Sequence, residues 1–320
     1  MKFRTEAEIK PFDRRIGYET RLLSLGSCFA ENMAERLKRA KLQIAVNPMG
    51  TLFNPASIAS VIERFAEHRA YTESEITESA DRWFAFDAHT SLDGCSPSSA
   101  LQRLNTALDE GHRALCAADC IILTFGTAWI YRLAESGKVV ANCHKLPQSM
   151  FRRERLSAEE IAELYAPLLE GILRDKLVIL TVSPVRHTAD GLEENSISKA
   201  ILRLAVDMLA QRFDNVRYFP SYEIVNDDLR DYRFYADDLV HPNRQAMDYI
   251  WEKFASALLS PKAQSLLPKA EQIVAAAEHR PFNPDSGEYA AFCKRMLEYI
   301  EALPDINFSA EREFFARHAK

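Results

Sequence analysis

Residues 21–37, "RLLSLGSCFAENMAERL", join an apolar run to a helical one across a single glycine. Leu22, Leu23 and Leu25 form the short continuous apolar stretch expected of a strand buried on both faces. After Cys28 the apolar residues Phe29, Met33 and Leu37 recur at helical spacing. The pattern predicts a strand over Arg21–Leu25 and a helix over Cys28–Ala40, with Gly26 and Ser27 at the junction. A serine and a cysteine side by side at such a junction stand where either can serve as a nucleophile, or where the serine simply caps the helix.

The same alternation continues along the chain. Strands are predicted at Leu42–Val46, Cys120–Phe125, Leu177–Val182 and Val216–Phe219. Helices are predicted at Pro55–Glu67, Pro97–Ala117, Ala158–Asp175 and Ser196–Phe213. Five short strands separated by helices imply an α/β fold: a doubly wound, three-layer α/β/α sandwich on a five-stranded, mainly parallel sheet. That domain is expected to span residues 1–259. From Ser260 the strands stop, and residues 260–320 are expected to form a helical C-terminal appendage packed on it.

Composition narrows the function. The 320 residues are 47% apolar and 27% charged, an ordinary globular balance with material for a large core. Forty Lys and Arg against 46 Asp and Glu give a net charge of −6, which argues against a nucleic-acid partner. The Arg152-Arg153-Glu154-Arg155 run is too short to change this and reads as a solvated approach to a helix. No apolar run is long enough to suggest a membrane span, and "MKFRTEAEIKPF" lacks the apolar core of a secretory signal. A cytoplasmic location is expected. The six cysteines show no framework spacing, so reduced thiols are expected and no structural zinc site. Neither G-x-G-x-x-G nor G-x-x-x-x-G-K occurs, and no cofactor is implied.

In a doubly wound sheet, ligands bind beyond the carboxyl ends of the strands. Those ends carry Gly26-Ser27, then Asn47, Gly50 and Asn54, then Gly126-Thr127, then Ser183, Arg186 and His187. Late in the chain, Asp238 and His241 stand three apart in "YADDLVHPN", a spacing that puts both on one side of a turn. The acid can then orient an imidazole that deprotonates a serine. Ser27 as nucleophile, His241 as general base and acid, and Asp238 as its partner use all three elements. Ala30 stands where a capping box would want Glu or Gln, which weakens the cap reading of Ser27. Cys28 is the rival nucleophile, its pKa expected to fall beside a helix N-terminus.

The "GSCFAENMAERL" stretch resembles the motif of the GSCFA family, a branch of the SGNH (GDSL-like) hydrolases. "NPMGTLFNPASI", "LTFGTAWIY", "VANCHKLPQSMF", "TVSPVRHTADGLEENSISKAILR" and "DDLRDYRFYADDLVHPN" resemble further blocks of that family in the same order. The resemblance spans roughly Arg21 to Phe254. It implies a flavodoxin-like sheet and a catalytic Ser27, set in Gly26-Ser27-Cys28 where the superfamily has G-D-S. It further implies an oxyanion hole built from the Ser27 and Gly50 N–H groups, and D-x-x-H realised as Asp238 to His241. The superfamily's G-x-N-D block is replaced here by Gly126-Thr127-Ala128-Trp129. Its asparagine donor is absent, and Thr127 or Asn142 is the candidate substitute. Losing an oxyanion donor typically costs about 10²–10³ in rate.

His89, His144, Arg186 and His187 are candidates for substrate binding, with structural roles as their alternatives. Lys199 shares that ambiguity. Trp83, Phe84 and Phe86 are core residues or pocket walls. The three histidines 144, 187 and 241 show no metal-ligand spacing, so no metal is expected. The expected activity is hydrolysis of a small-molecule or carbohydrate ester. The alternatives are acyl transfer to a carbohydrate hydroxyl with the same residues, or a binding protein that keeps the scaffold with little turnover.

Overall fold

The computed structural model describes residues 4–319. Five parallel strands form the central sheet: β1 (Arg21–Gly26), β2 (Gln43–Val46), β3 (Cys120–Phe125), β4 (Leu177–Val182) and β5 (Val216–Tyr218), in the order β5-β4-β3-β1-β2. Side chains alternate between two cores along each strand, as the pleat requires. Leu22, Cys120, Ile122, Leu177 and Ile179 enter one; Leu23, Leu25, Ile121, Leu123, Phe125, Val178 and Leu180 enter the other.

Helices cover both faces. On the second core lie α2 (Pro55–Glu67), α3 (Pro97–Ala117), α4 (Ala158–Glu170) and α5 (Leu192–Arg212); on the first lie α1 (Cys28–Arg39) and α6 (Arg244–Leu258). The α/β/α sandwich is therefore the observed fold. The C-terminal helices α7 (Pro261–Glu278), α8 (Gly287–Glu301) and α9 (Ser309–His318) extend the first core, since Cys293, Met296, Ile300 and Phe315 join the apolar cluster of Phe29, Met33 and Leu37. Ion pairs from Arg39 to Glu278 and from Lys41 to Glu311, each 2.9 Å, tie the region after β1 to them.

Three segments depart from expectation. The helix predicted over Ala158–Asp175 stops at Glu170, after Pro167 removes a backbone donor and Gly171 turns the chain back onto the Pro167 carbonyl. The helix predicted from Ser196 begins earlier, at Leu192, behind Gly191 at φ +83°. Arg152–Arg155 is the exposed run that leads to the Ser157 cap of α4, as expected, but it is a strand and not a loop. Phe151–Arg155 is a strand of a small antiparallel sheet with Trp129–Leu133 and Val139–Val140, and the Arg153 and Arg155 guanidiniums lie 4.0 and 5.2 Å from the Trp129 ring centre.

Strand order reverses between β1 and β3, which opens a crevice at their carboxyl ends. Gly26 controls the exit of β1 into α1. Its φ is +151°, and a Cβ there would lie 2.5 Å from the Thr124 carbonyl oxygen on β3. Asn47, just after β2, accepts from the Gly26 N–H at 2.8 Å and donates to the Gly26 carbonyl at 3.1 Å, so both backbone groups of the pivot are held by one amide. Gly26→Ala combines backbone strain with a clash against fixed backbone, and should lower the unfolding free energy by about 2–4 kcal/mol in urea titration. Wild-type stability would show that the pivot tolerates a side chain.

Candidate active site

The site is built at the N-terminus of α1. Its first residue, Cys28, projects a half-buried thiol whose Sγ lies 3.5 Å from Nε2 of His241. His241 belongs to the turn between residues 236 and 241, closed by Ala236 N–H donating to the His241 carbonyl at 2.8 Å and ended by Pro242 before α6. Asp238 folds back inside that turn. Its Oδ1 accepts from the Val240 and His241 N–H groups at 2.9 and 3.0 Å, and its Oδ2 lies 2.7 Å from His241 Nδ1. Leu239 takes the left-handed conformation, φ +58°, that so tight a return demands.

Those bonds set protonation. The His241 and Val240 N–H groups, then the His241 ring, hold the Asp238 carboxyl down at about 2. Asp238 is therefore an acceptor only, and Nδ1 of His241 must carry the proton it shares with it. In the neutral ring Nε2 is then the acceptor nitrogen, and it lies 3.5 Å from the Cys28 Sγ.

Ser27 occupies the N-cap position, φ −74° and ψ 178°, but its side chain makes no capping bond. The residue is 2% exposed and its hydroxyl has no hydrogen-bond partner among the described residues. The structure thus brings Asp238 and His241 together, and sets the neighbouring thiol, rather than the Ser27 hydroxyl, against the imidazole. The thiol itself is pushed up by burial, against the opposing pull of the Phe29 N–H. Burial outweighs the helix N-terminus that was expected to lower it.

At the ends of the neighbouring strands lies a buried lysine with no carboxylate partner among the described residues. Lys199 reaches from α5, 1% exposed, to donate to the Gly126 carbonyl at 2.6 Å and the Ser183 carbonyl at 2.7 Å, binding the ends of β3 and β4. Burial lowers its pKa from 10.5 to about 7. His187 sits beside Gly126, its ring edge-on to Phe53 at 6.4 Å, and burial with the Lys199 charge lowers it to about 4. It is a neutral wall of the site at physiological pH. Arg186 lies over the rings of Tyr235 and Tyr232, 4.1 and 4.9 Å from their centres, and its N–H donates to the Val240 carbonyl at 3.2 Å. It braces the turn that carries His241.

Of the expected oxyanion donors, the Gly50 N–H and the Thr127 hydroxyl are engaged elsewhere, while the bond Asn142 makes uses its acceptor oxygen. The Gly50 N–H donates to the Asn47 carbonyl at 2.7 Å, closing a turn. Thr127 is buried, with Oγ1 3.2 Å from Ser198 Oγ and accepting from the Trp129 N–H at 3.1 Å. Asn142 accepts from the His144 N–H at 2.7 Å in the loop that packs on Phe86. These are structural bonds. What remains at the thiol is the start of α1, whose first N–H groups have no intrahelical acceptor and can meet an oxyanion.

Two substrate-binding candidates make packing contacts with the loops that carry them. His144 is buried, stacked on Phe84 at 3.9 Å and 3.2 Å from the Ala85 carbonyl. His89 packs on Gly50, where a Cβ would meet the His89 Cβ at 2.3 Å, and accepts from the Ser91 N–H. Phe84, buried, and Phe86, half-buried, meet edge to face beside His144. Sequence reasoning missed one group of positioning residues: Glu31, in the first turn of α1, accepts from Asn47 Nδ2 at 3.1 Å and Thr51 Oγ1 at 2.6 Å. An acid in a first helical turn reads only as a dipole partner until the fold brings Asn47 to it.

The family model described as "GSCFA family" matches residues 21–254, from the first residue of β1 into α6. The chain belongs to the GSCFA family. A second model, "GSCFA domain protein, C-terminal domain", matches residues 270–320, which covers the second half of α7 and all of α8 and α9. No curated protein matches the chain. Among the described residues of this GSCFA protein, no helix is long and apolar enough to cross a membrane.

Two stability measurements check the geometry. Ser27→Ala removes a hydroxyl that is buried without a partner, so the variant should equal or exceed wild type by up to about 1 kcal/mol. A loss of about 1 kcal/mol would reveal a working cap instead. For Lys199 the folded pKa is depressed, so the unfolded chain binds more protons between roughly pH 7 and 10.5, and stability falls as pH drops through that window. Lys199→Met abolishes this contribution. The difference in unfolding free energy, wild type minus variant, should therefore rise from pH 7 to pH 9.5; an unchanged difference would refute a depressed lysine.

Proposed function

We propose that this GSCFA protein hydrolyses esters through an acyl-enzyme, with the nucleophile at the Ser27-Cys28 start of α1 and His241 as general base and acid. One observation carries the reading: the unbroken line Asp238 Oδ2, His241 Nδ1, His241 Nε2 and Cys28 Sγ, at 2.7 and 3.5 Å, at the carboxyl edge of the sheet. The carboxylate fixes the tautomer, the bare nitrogen faces an acidic hydrogen on the nucleophile, and the helix N-terminus supplies N–H groups for the developing oxyanion. The likeness of the motif blocks to SGNH hydrolases supports the same chemistry.

Openness of the site favours water as acyl acceptor over a carbohydrate hydroxyl. The side chains of His241 and Asp238 are 45% and 49% exposed, so solvent reaches the base directly. Transfer to an alcohol works best where water is kept out. A groove of about 1210 Å³ lined by residues 4–11 with Lys253 and Ser256 lies toward the other end of α6 from His241 and is not part of this site.

The test is turnover of acetyl and longer p-nitrophenyl esters and of acetylated sugars. His241→Ala should lower kcat/KM by about 10²–10⁴-fold, with the fold retained. Equal turnover by wild type and His241→Ala, or none by either, would remove the hydrolase reading.

A further inference from the structure

We infer that the nucleophile of this site is the Cys28 thiol, and that Ser27 is its non-reacting neighbour. The inference rests on the acyl-transfer reading above and names the atom that carries the acyl group. Three observations point the same way. His241 Nε2, the only ring nitrogen free to take a proton, has Cys28 Sγ at 3.5 Å, a normal separation for a sulfur hydrogen bond. Among the described residues the Ser27 hydroxyl has no hydrogen-bond partner, so none of their bases is placed to activate it. Cys28 is also the more open of the two, half-buried where Ser27 is 2% exposed, and an acyl carbon must reach the attacking atom.

The bland alternative is a thiol that merely fills space beside a histidine. Other cysteines of the chain do this kind of work: Cys120 and Cys293 lie fully inside the apolar core. Cys28 differs from both. It sits at the first position of a helix, at the switch point of the sheet, and in line with a carboxylate-held imidazole.

The cycle balances without any added reagent. Nε2 of His241 takes the Sγ proton as sulfur attacks the acyl carbon, and a C–S bond forms. The tetrahedral oxyanion collapses, the C–O bond to the alcohol breaks, and His241 returns the proton to the departing oxygen. A thioester at Cys28 remains. Water then attacks that thioester with His241 accepting its proton, the C–S bond breaks, the carboxylic acid leaves, and the thiol recovers its hydrogen from His241. Since burial keeps the resting thiol protonated, deprotonation belongs to the attack step and not to a preformed ion pair.

The experiment is acid quench of the enzyme with p-nitrophenyl acetate, followed by peptide mapping of the acetyl group, on wild type, Ser27→Ala, Cys28→Ser and His241→Ala. The expected result is an acetyl on Cys28, removed by neutral hydroxylamine as thioesters are. It persists in Ser27→Ala, is lost from position 28 in His241→Ala, and is accompanied by at least a 100-fold fall in ester turnover in Cys28→Ser. Circular dichroism of Cys28→Ser, which changes one atom, checks that the fold is intact. An acetyl on Ser27 that survives in Cys28→Ser would overturn this inference and leave the hydrolase reading standing. No adduct at either residue, with no turnover, would overturn both.

Discussion

Everything at the functional end of this molecule depends on how β1 gives way to α1 without a connecting loop. The chain leaves the sheet at Gly26 in a backbone conformation closed to side chains, with Thr124 of the neighbouring strand occupying the space a Cβ would need. Asn47 holds both the N–H and the carbonyl of that glycine, and Glu31 of the new helix holds Asn47 in turn. The result is a helix whose first residue is aimed from the switch point of the sheet, where a doubly wound fold exposes its crevice. A loop in place of this pivot would leave the thiol free to wander; the pivot fixes it to within hydrogen-bond distance of a histidine 213 residues away.

The second half of the site is a local solution to a different problem. A turn as tight as 236–241 must satisfy its own backbone donors, and Asp238 does so by accepting two of them. The same bonds keep the carboxylate ionised, and an ionised carboxylate dictates the tautomer of His241. Structure and chemistry here are one set of hydrogen bonds. Lys199 shows the opposite arrangement, a buried cation balanced only by carbonyl dipoles. Its lowered pKa is the cost of joining β3 to β4 under the site.

Much of this was legible in the residues. The strands Cys120–Phe125 and Leu177–Val182 and the helices Pro55–Glu67 and Pro97–Ala117 end where apolar period, Pro and cap residues say they should. The Asp238–His241 pairing follows from a three-residue spacing. The antiparallel strands over 129–155 were not legible, because two of them are short at two and five residues and the third, Phe151–Arg155, is mostly charged and packs by arginine stacking on Trp129. Nor were the fates of Gly50 and Thr127, whose polar groups are consumed by a turn and by Ser198, partners that only tertiary structure supplies. The proposed nucleophile shows the subtlest gap. Matching Gly26-Ser27-Cys28 to G-D-S by residue type selects the serine, whereas matching by register selects Cys28, and only the fold shows which side chain faces His241.

The central claim is that Asp238 fixes His241 with a proton on Nδ1 and a bare Nε2 presented to Cys28. Nitrogen-15 NMR of the His241 ring near neutral pH tests it most directly. The account predicts the Nδ1–H tautomer, with an Nε2 resonance that moves when Cys28 is replaced by alanine. An Nε2–H tautomer indifferent to Cys28 would contradict it, because no proton could then pass from the thiol to the base.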